Sequence, residues 1–177
     1  DKLVGRLVDE TETLGIRENT LILFIGDNGT DRDVTSTVAN RQLKGDKGHT
    51  TNAGTHVPFI ANWKGVIPKG EVNDNLIDFT DFLPSILQSA NIPMETKTDG
   101  ISFYPQLVGD SYVPRDWIFC DYNPNWGKFE PKTYVQDRIW KLYRNGKFYN
   151  LEKDPLETNP LDIDSQPDTI KIKIKMF

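Results

Sequence analysis

The sequence predicts an α/β fold followed by a small antiparallel β subdomain. Three observations carry that expectation. An amphipathic helix, a glycine and a short turn lead into the apolar run Leu21–Ile25. A second apolar stretch, Val57–Trp63, precedes a second helix with apolar residues at helical spacing. From about Trp117 the pattern changes to short aromatic stretches around an Asn-Gly pair. Helix and strand alternate first and strands then follow one another, as in an α/β portion joined to an antiparallel sheet.

Val4, Leu7, Val8 and Leu14 fall near helical spacing, with Arg6, Asp9, Glu10 and Glu12 opposite them, so residues 2–14 are read as a helix. Gly15 stands where a left-handed cap is expected. The five apolar residues Leu21–Ile25, bounded by Asn19 and Gly26, suit a strand buried on both faces, as in a parallel sheet. Residues 30–56 are polar and are read as a long loop, a length that in a compact domain marks function or disorder. Val57–Trp63 is a strand with Pro58 at its start, and residues 64–70 are a turn-rich connector.

Leu83, Ile86, Leu87 and Ala90 define the next helix. Thr80 or Asp81 caps it, Pro84 is tolerated in its first turn, and Asn91 with Pro93 stops it. Asp99-Gly100 and Leu107–Asp110 mark turns. Trp117–Tyr122 is a strand, and Thr133–Leu151 holds further strands with a two-residue turn at Asn145-Gly146. These readings divide the chain at residues 1–112 and 113–177. The tail with Asp154-Pro155 and Asn159-Pro160 is expected on the surface. Ile170, Ile172 and Ile174 alternate with Lys171, Lys173 and Lys175, which fits an edge strand guarded by lysines or a frayed end.

Composition narrows the function classes. The chain has 177 residues, enough for one sizeable core, with 37% hydrophobic and 27% charged residues. A net charge of -5 gives no basic footprint for nucleic acid. No apolar run approaches the roughly 18 residues a membrane span needs. The single cysteine, Cys120, excludes an internal disulfide framework and a multi-cysteine metal site, and is read as a structural thiol in an aromatic strand. The chain opens at Asp1 inside a helix-like pattern, as expected for a piece of a longer protein.

Asp27 and Asn28 follow the first strand and offer a carboxylate and an amide oxygen, donors suited to Ca²⁺ or Mg²⁺. The same Asp-Asn-Gly triplet also reads as a plain turn. Lys47 lies among Gly45, Gly48 and Gly54, in a loop whose flexible backbone and free amides suit an anion such as sulfate. A solvated lysine is the alternative, and a Walker-type phosphate loop is excluded because Gly48 follows the lysine. His49 and His56 are the two histidines, without zinc-site spacing; His56 is a substrate contact or is satisfied by local backbone. Asp78 and Asp81 are read as helix caps. Trp117, Trp126, Trp140, Tyr143 and Tyr149 suit hairpin packing, or a sugar-binding surface.

The order of these landmarks resembles the sulfatase family of the alkaline-phosphatase superfamily over nearly the whole chain. The residues concerned are Leu14-Gly15, Asn19-Thr20 and Leu21–Phe24 leading to Gly26-Asp27-Asn28-Gly29. Next come Lys47-Gly48-x-Thr50 and Gly54-x-x-Val57-Pro58-Phe59-Ile60. They continue with Asp81-x-x-Pro84-Ser85-x-Leu87, Asn91-Ile92-Pro93 and Asp99-Gly100-x-Ser102. Lys147-Phe148-Tyr149-Asn150-Leu151-x-x-Asp154-Pro155-x-Glu157-x-Asn159 closes the pattern.

The resemblance implies a portion of an alkaline-phosphatase-like sandwich with the β subdomain behind it. It implies that Asp27 and Asn28 supply half of a Ca²⁺ coordination shell and that Lys47 contacts sulfate oxygens. Where the family often has Glu-Gly-Gly and then an arginine, this sequence has Asn52-Ala53-Gly54-Thr55-His56, which makes His56 a candidate specificity residue.

The family's first part, with an aspartate pair and a formylglycine nucleophile formed in a C-x-P-S-R-like motif, has no counterpart here. Cys120 lacks the proline and arginine of that motif. The chain is therefore expected to be the C-terminal part of an exported sulfatase, periplasmic or secreted, and inactive by itself. Its implied partners are its own N-terminal part and a sulfated small molecule or glycan. Two other readings stand: a phosphate or phosphonate ester hydrolase of the same superfamily, distinguished by a plain threonine nucleophile upstream, and a non-enzymatic remnant.

Overall fold

A computed structural model describes residues 2–38, 40–125 and 127–176. Trp126, among the aromatics named above, lies outside the described residues. The chain forms two compact units: Asp1–Ile25 with Pro58–Pro114, and Gly26–Val57 with Arg115–Phe177.

In the first unit, helix α1 spans Lys2–Thr13 and ends where Gly15 adopts φ +68°. The Gly15 and Ile16 amides donate back to Glu12 and Thr11 carbonyls, closing the helix as the glycine predicts. Val4 and Val8 are half-buried, whereas Leu3 and Leu7 are 69% and 68% exposed, so the apolar stripe is only partly covered.

Strand β1, Ile22–Ile25, pairs antiparallel with β4, Phe59–Asn62, in the register Ile22↔Asn62 to Ile25↔Phe59. This corrects the expectation of a strand buried on both faces in a parallel sheet. Phe24 and Ile60 are exposed. An apolar run reports side-chain character; it does not encode the direction of the neighbouring strand.

Helix α3, Phe82–Ser89, follows a 3₁₀ turn at Phe79–Asp81. Asp78 accepts from the Thr80 N–H, and Asp81 Oδ2 accepts the Asp78 N–H at 2.8 Å, a reciprocal capping box. The helix buries Pro84 and Ser85 rather than the predicted Leu83 and Ile86, which are exposed. Ser85 Oγ explains the rotation: it donates to Asp81 O and accepts the buried Phe103 N–H at 2.8 Å. Phe59, Phe82 and Phe103 meet edge to face at 5.2–5.4 Å and form the aromatic centre of the unit. Asn91, at φ +55°, ends α3 as expected. Helix α4, Tyr104–Val108, ends on Gly109 in the left-handed region.

In the second unit, the stretch expected to be one long loop contains a hairpin, β2 Thr35–Val38 against β3 Arg41–Lys44, and the short helix α2, Asn52–Thr55. The four-stranded antiparallel sheet runs in the order β5 (Ile118–Tyr122), β6 (Lys132–Gln136), β7 (Trp140–Tyr143), β8 (Phe148–Asn150).

The β7–β8 turn falls at Asn145-Gly146 but is a three-residue connection: the Tyr143 N–H donates to Lys147 O. Gly146 has positive φ and Asn145 does not, which rules out the two-residue mirror turn that needs both. Trp140 stacks on Phe148 at 5.1 Å, and Tyr134, Tyr143 and Tyr149 form a buried cluster against which Cys120 packs. Packing therefore accounts for these aromatics, while Trp117 is half exposed.

The terminal Ile/Lys alternation is neither strand nor frayed end; it is helix α5, Asp168–Met176. Pro167 precedes the helix, and Asp168 in its first turn with Lys173 and Lys175 in its last are favourable to the helix dipole. Lys173 pairs with Asp137. No helix among the described residues is long and apolar enough to cross a membrane.

The capping carboxylate of the first unit gives a direct test. Asp81 is 2% exposed and also accepts the Ile101 N–H at 2.7 Å. Asp81→Ala strips the acceptor from two backbone donors and is expected to destabilise by about 2–3 kcal/mol, read as a lower urea midpoint.

Candidate functional site

All four residues singled out for a site, Asp27, Asn28, Lys47 and His56, lie in the second unit. Two backbone hydrogen bonds bring their segments together. The Gly29 N–H donates to Gly54 O at 2.8 Å, and the Lys47 N–H donates to Thr30 O at 3.1 Å. The Asp27–Thr30 turn thus lies beside both ends of the lysine loop.

The glycines are there for close approach, not for flexibility. A Cβ on Gly29 would stand 2.0 Å from Ala53 O, and one on Gly54 would stand 2.1 Å from His49 O. A Cβ on Gly45 would stand 2.3 Å from the Thr30 and Asp31 carbonyl oxygens. Nor are the loop amides free, as the sequence had suggested. Gly45, Lys47, His49 and Gly54 donate to Val34, Thr30, Asp46 and Thr51 respectively. These four N–H groups are committed to backbone carbonyls in and beside the loop, and the Lys47 side chain is exposed.

Asp27, Lys47 and His56 are exposed, and Asn28 is half-buried with its Nδ2 donating to Gly29 O at 3.1 Å. With that amide nitrogen turned to the backbone, the Asn28 carbonyl oxygen and the Asp27 carboxylate are two hard oxygen donors on adjacent residues. Such a pair fits part of a Ca²⁺ shell but not a whole one, since the ion takes six to eight oxygens. Among the described residues, no group of three or more His, Cys, Asp or Glu is placed to hold a metal.

Asp46 organises the near side of the loop. Its Oδ2 accepts the Thr51 hydroxyl at 2.6 Å, and its Oδ1 lies 3.2 Å from His49 Nδ1 and 3.6 Å from Arg32 Nε. His49 packs edge-on against Phe129 at 5.3 Å. Gly48, at φ +87°, also lies against Phe129, whose ring leaves no room for a Cβ. A cavity of about 170 Å³ beside Asp46 is lined in part by Arg32 and Lys44.

The far side of the loop is held by residues outside the four candidates. Lys141, fully buried, donates from Nζ to Thr50 O and pairs with Glu157 Oε1 at 3.0 Å. It lies 4.0 Å from the Tyr134 ring centroid. Glu157 Oε1 also accepts the Asn52 N–H at 2.8 Å, and Oε2 accepts the Tyr143 hydroxyl at 2.6 Å. The Thr50 hydroxyl, 3.2 Å from the Tyr143 oxygen, donates to it, because the one phenolic proton is spent on Glu157.

Burial pushes the Lys141 ammonium down, and Glu157 offsets part of that. Burial, then the bond to Glu157, pushes the Tyr143 phenol up. Burial likewise raises the Tyr134 phenol.

The tail expected on the surface therefore carries a buried carboxylate. Its turn is built by Asp154, whose Oδ1 accepts Thr158 N–H and hydroxyl and whose Oδ2 accepts Asn159 N–H at 2.8 Å. The available signals were the Asp-Pro-x-Glu-x-Asn pattern and the i, i+2 spacing that puts Lys141 on the face of Tyr143.

The sulfatase family model matches residues 1–92. An uncharacterized sulfatase, YdeN, of Escherichia coli is 38% identical over 166 residues, covering 90% of this chain and 28% of that protein. Human arylsulfatase A is 33% identical over 121 residues, covering 67% of this chain and 24% of that protein. Among solved structures, a 2-O GAG sulfatase superposes with TM-score 0.74 at 22% identity, covering 99% of this chain and 38% of that one. The PsFucS1 sulfatase of Pseudoalteromonas superposes with TM-score 0.72 at 25% identity, covering 99% of this chain and 40% of that one. The fold is part of an alkaline-phosphatase-like sandwich with a β subdomain, and the chain belongs to the sulfatase family. It spans between a quarter and two fifths of these relatives' length.

Three substitutions give tests, two in the second unit and one in α1. Gly29→Ala is expected to destabilise the second unit by about 3 kcal/mol through the clash with Ala53 O. Gly5→Ala in α1, where a Cβ meets nothing within 4 Å, is expected to stabilise by roughly 0.5–1 kcal/mol. Burial raises the Asp154 carboxyl, but the donors from Asn159 and Thr158 outweigh it and the net shift is downward. A carboxyl depressed in the folded state stabilises above its unfolded pKa, and the gain is lost as pH falls through the folded value. Asp154→Asn is expected to lower stability at neutral pH and to flatten its fall below about pH 4, measured by urea titration across pH.

Proposed function

We propose that the chain is the C-terminal part of a sulfatase acting on sulfated glycans or related sulfate esters. The observation that supports this reading is the pair of backbone bonds, Gly29 to Gly54 and Lys47 to Thr30, that join the segment following Asp27 and Asn28 to the loop bearing the exposed Lys47. Asp27 and Asn28 supply half of the ligands of a Ca²⁺ ion. An ion held there would supply Lewis-acid chemistry at the sulfate group. Lys47 contacts the sulfate oxygens and offsets the charge that builds on the leaving ester oxygen, so its contribution is largest in the transition state. His56, exposed at the end of the loop, contacts the substrate beyond the sulfate.

The remaining ligands and the nucleophile, a formylglycine, come from a preceding part of the same protein. The exposed apolar side chains of α1, β1 and β4, including Leu3, Leu7, Phe24 and Ile60, support a covering segment of that kind. The names of similar structures point to sugars: one is a GAG sulfatase and another was solved with a disulfated glucosamine. A polyanionic glycan outside the cell fits an exported, periplasmic or secreted enzyme.

The 177-residue chain is expected to show no turnover of an aryl sulfate and to bind Ca²⁺ more weakly than about 10⁻⁴ M by calorimetry, since two oxygens are too few. Micromolar binding overturns the half-site. Joined to its upstream coding sequence, the protein is expected to hydrolyse sulfate esters. Lys47→Ala is then expected to lower kcat by about 10²–10³. Phosphate-ester turnover with no sulfate-ester turnover would overturn the sulfatase reading.

A further inference from the structure

Three consecutive alternate residues of the lysine loop are each held by a side chain of the antiparallel sheet or its following turn. Gly48 O accepts the Tyr122 hydroxyl at 2.9 Å. Thr50 O accepts Lys141 Nζ. The Asn52 N–H donates to Glu157. These positions are one, three and five residues after Lys47. The loop segment therefore runs along a row of partners contributed from 74 to 105 residues downstream.

The last of these contacts is a cap. Asn52 opens the short helix α2, and its N–H has no partner within that helix. The preceding Thr51 makes no capping bond; its hydroxyl donates to Asp46 Oδ2. Glu157 takes over that task from a distance. It does so from a left-handed backbone, φ +55°, which a residue with a Cβ adopts only when its surroundings impose it. The Asp154 turn imposes it here, receiving Thr158 and Asn159 on its carboxylate and the Glu157 N–H on its carbonyl. Lys141 and Glu157 have side chains 0% and 2% exposed. Placing such a pair out of water is costly, and an apolar pair of similar volume would hold the sheet equally well. An apolar pair would not hold Thr50 O or the Asn52 N–H.

We propose that Lys141, Tyr143 and Glu157 are positioning residues that fix the loop bearing Lys47, so that the exposed ammonium meets the sulfate in one register relative to Asp27 and Asn28. The proposal rests on the catalytic reading of Lys47, and the experiment separates the two.

Hydrogen exchange on the full chain reads the loop without any substrate. Glu157→Gln keeps the size of the side chain and an acceptor for Asn52 but leaves Lys141 unpaired. Tyr143→Phe removes one hydroxyl and keeps the ring packed on Tyr134 and Tyr149. Each variant is expected to speed exchange at the Lys47, His49, Gly54 and His56 amides about tenfold more than at the amides of β6–β8. Lys141→Met with Glu157→Gln is expected to perturb the sheet less than Glu157→Gln alone, since no unpaired charge remains, while the loop stays fast. Uniform acceleration of sheet and loop, or none in the loop, overturns the proposal.

In the protein with its upstream part, Glu157→Gln and Tyr143→Phe are expected to lower kcat by about tenfold to a hundredfold with KM little changed. A loosened loop with unchanged kcat overturns the proposal, provided Lys47→Ala itself abolishes activity. If Lys47→Ala is also silent, it is the catalytic assignment of Lys47 that fails.

Discussion

The ion pair between Lys141 and Glu157 is the constraint on which the second unit's loop depends. Two full charges leave water, and the cost is met only because their hydrogen-bonding directions are filled. Lys141 gives to Thr50 O and Glu157 Oε1 and faces the Tyr134 ring at 4.0 Å. Glu157 takes Lys141 and the Asn52 N–H on one oxygen and Tyr143 on the other. Losing one member would leave the other charged and dry, a loss of about 3–5 kcal/mol. Because two of the partners are main-chain groups of the loop, sliding the loop breaks the same bonds. Loop position and burial of the charges are therefore one equilibrium.

The sheet makes this arrangement possible through register. Tyr134 pairs with Tyr143, and Lys141 pairs with Tyr149, so alternation puts all four on one face. The three rings give the ammonium stem apolar surface to lie on and leave its head directed at the loop. On the opposite side of the loop, Gly29, Gly45 and Gly54 allow backbone to touch backbone, where any Cβ would collide with a carbonyl. The loop is thus clamped sterically on one side and by charged hydrogen bonds on the other.

Local signals carried much of this architecture into the sequence. Gly15 and Asn91 mark chain positions that need positive φ, Asp78 and Asp81 are recognisable caps, and Asn145-Gly146 marks its hairpin even though its turn type differs. The order of Asp27-Asn28-Gly29 and Lys47-Gly48-x-Thr50 marked the candidate site, because those motifs are contiguous. What stayed hidden depends on partners distant in sequence. The Leu21–Ile25 run could not show that β1 meets β4 antiparallel. The α3 stripe pointed to Leu83 and Ile86, but a serine hydroxyl serving Phe103 turned the helix another way. A lysine in a strand reads as solvent-facing until its partner, 16 residues on, is known to turn inward.

The two lysines of this region illustrate why the hidden residues matter for the visible ones. Lys47 is exposed, so no packing fixes its side chain. A lysine is a point charge on a flexible stem, and its reach is set by where its Cα stands. That position is set by the Thr30 carbonyl on Lys47 itself and by the partners of Gly48, Thr50 and Asn52. Lys141 gives up its solvation to supply one of those partners. The buried cation is therefore coupled to the exposed one through three residues of backbone. Replacing it would be felt in the geometry of Lys47 before it was felt in the sheet.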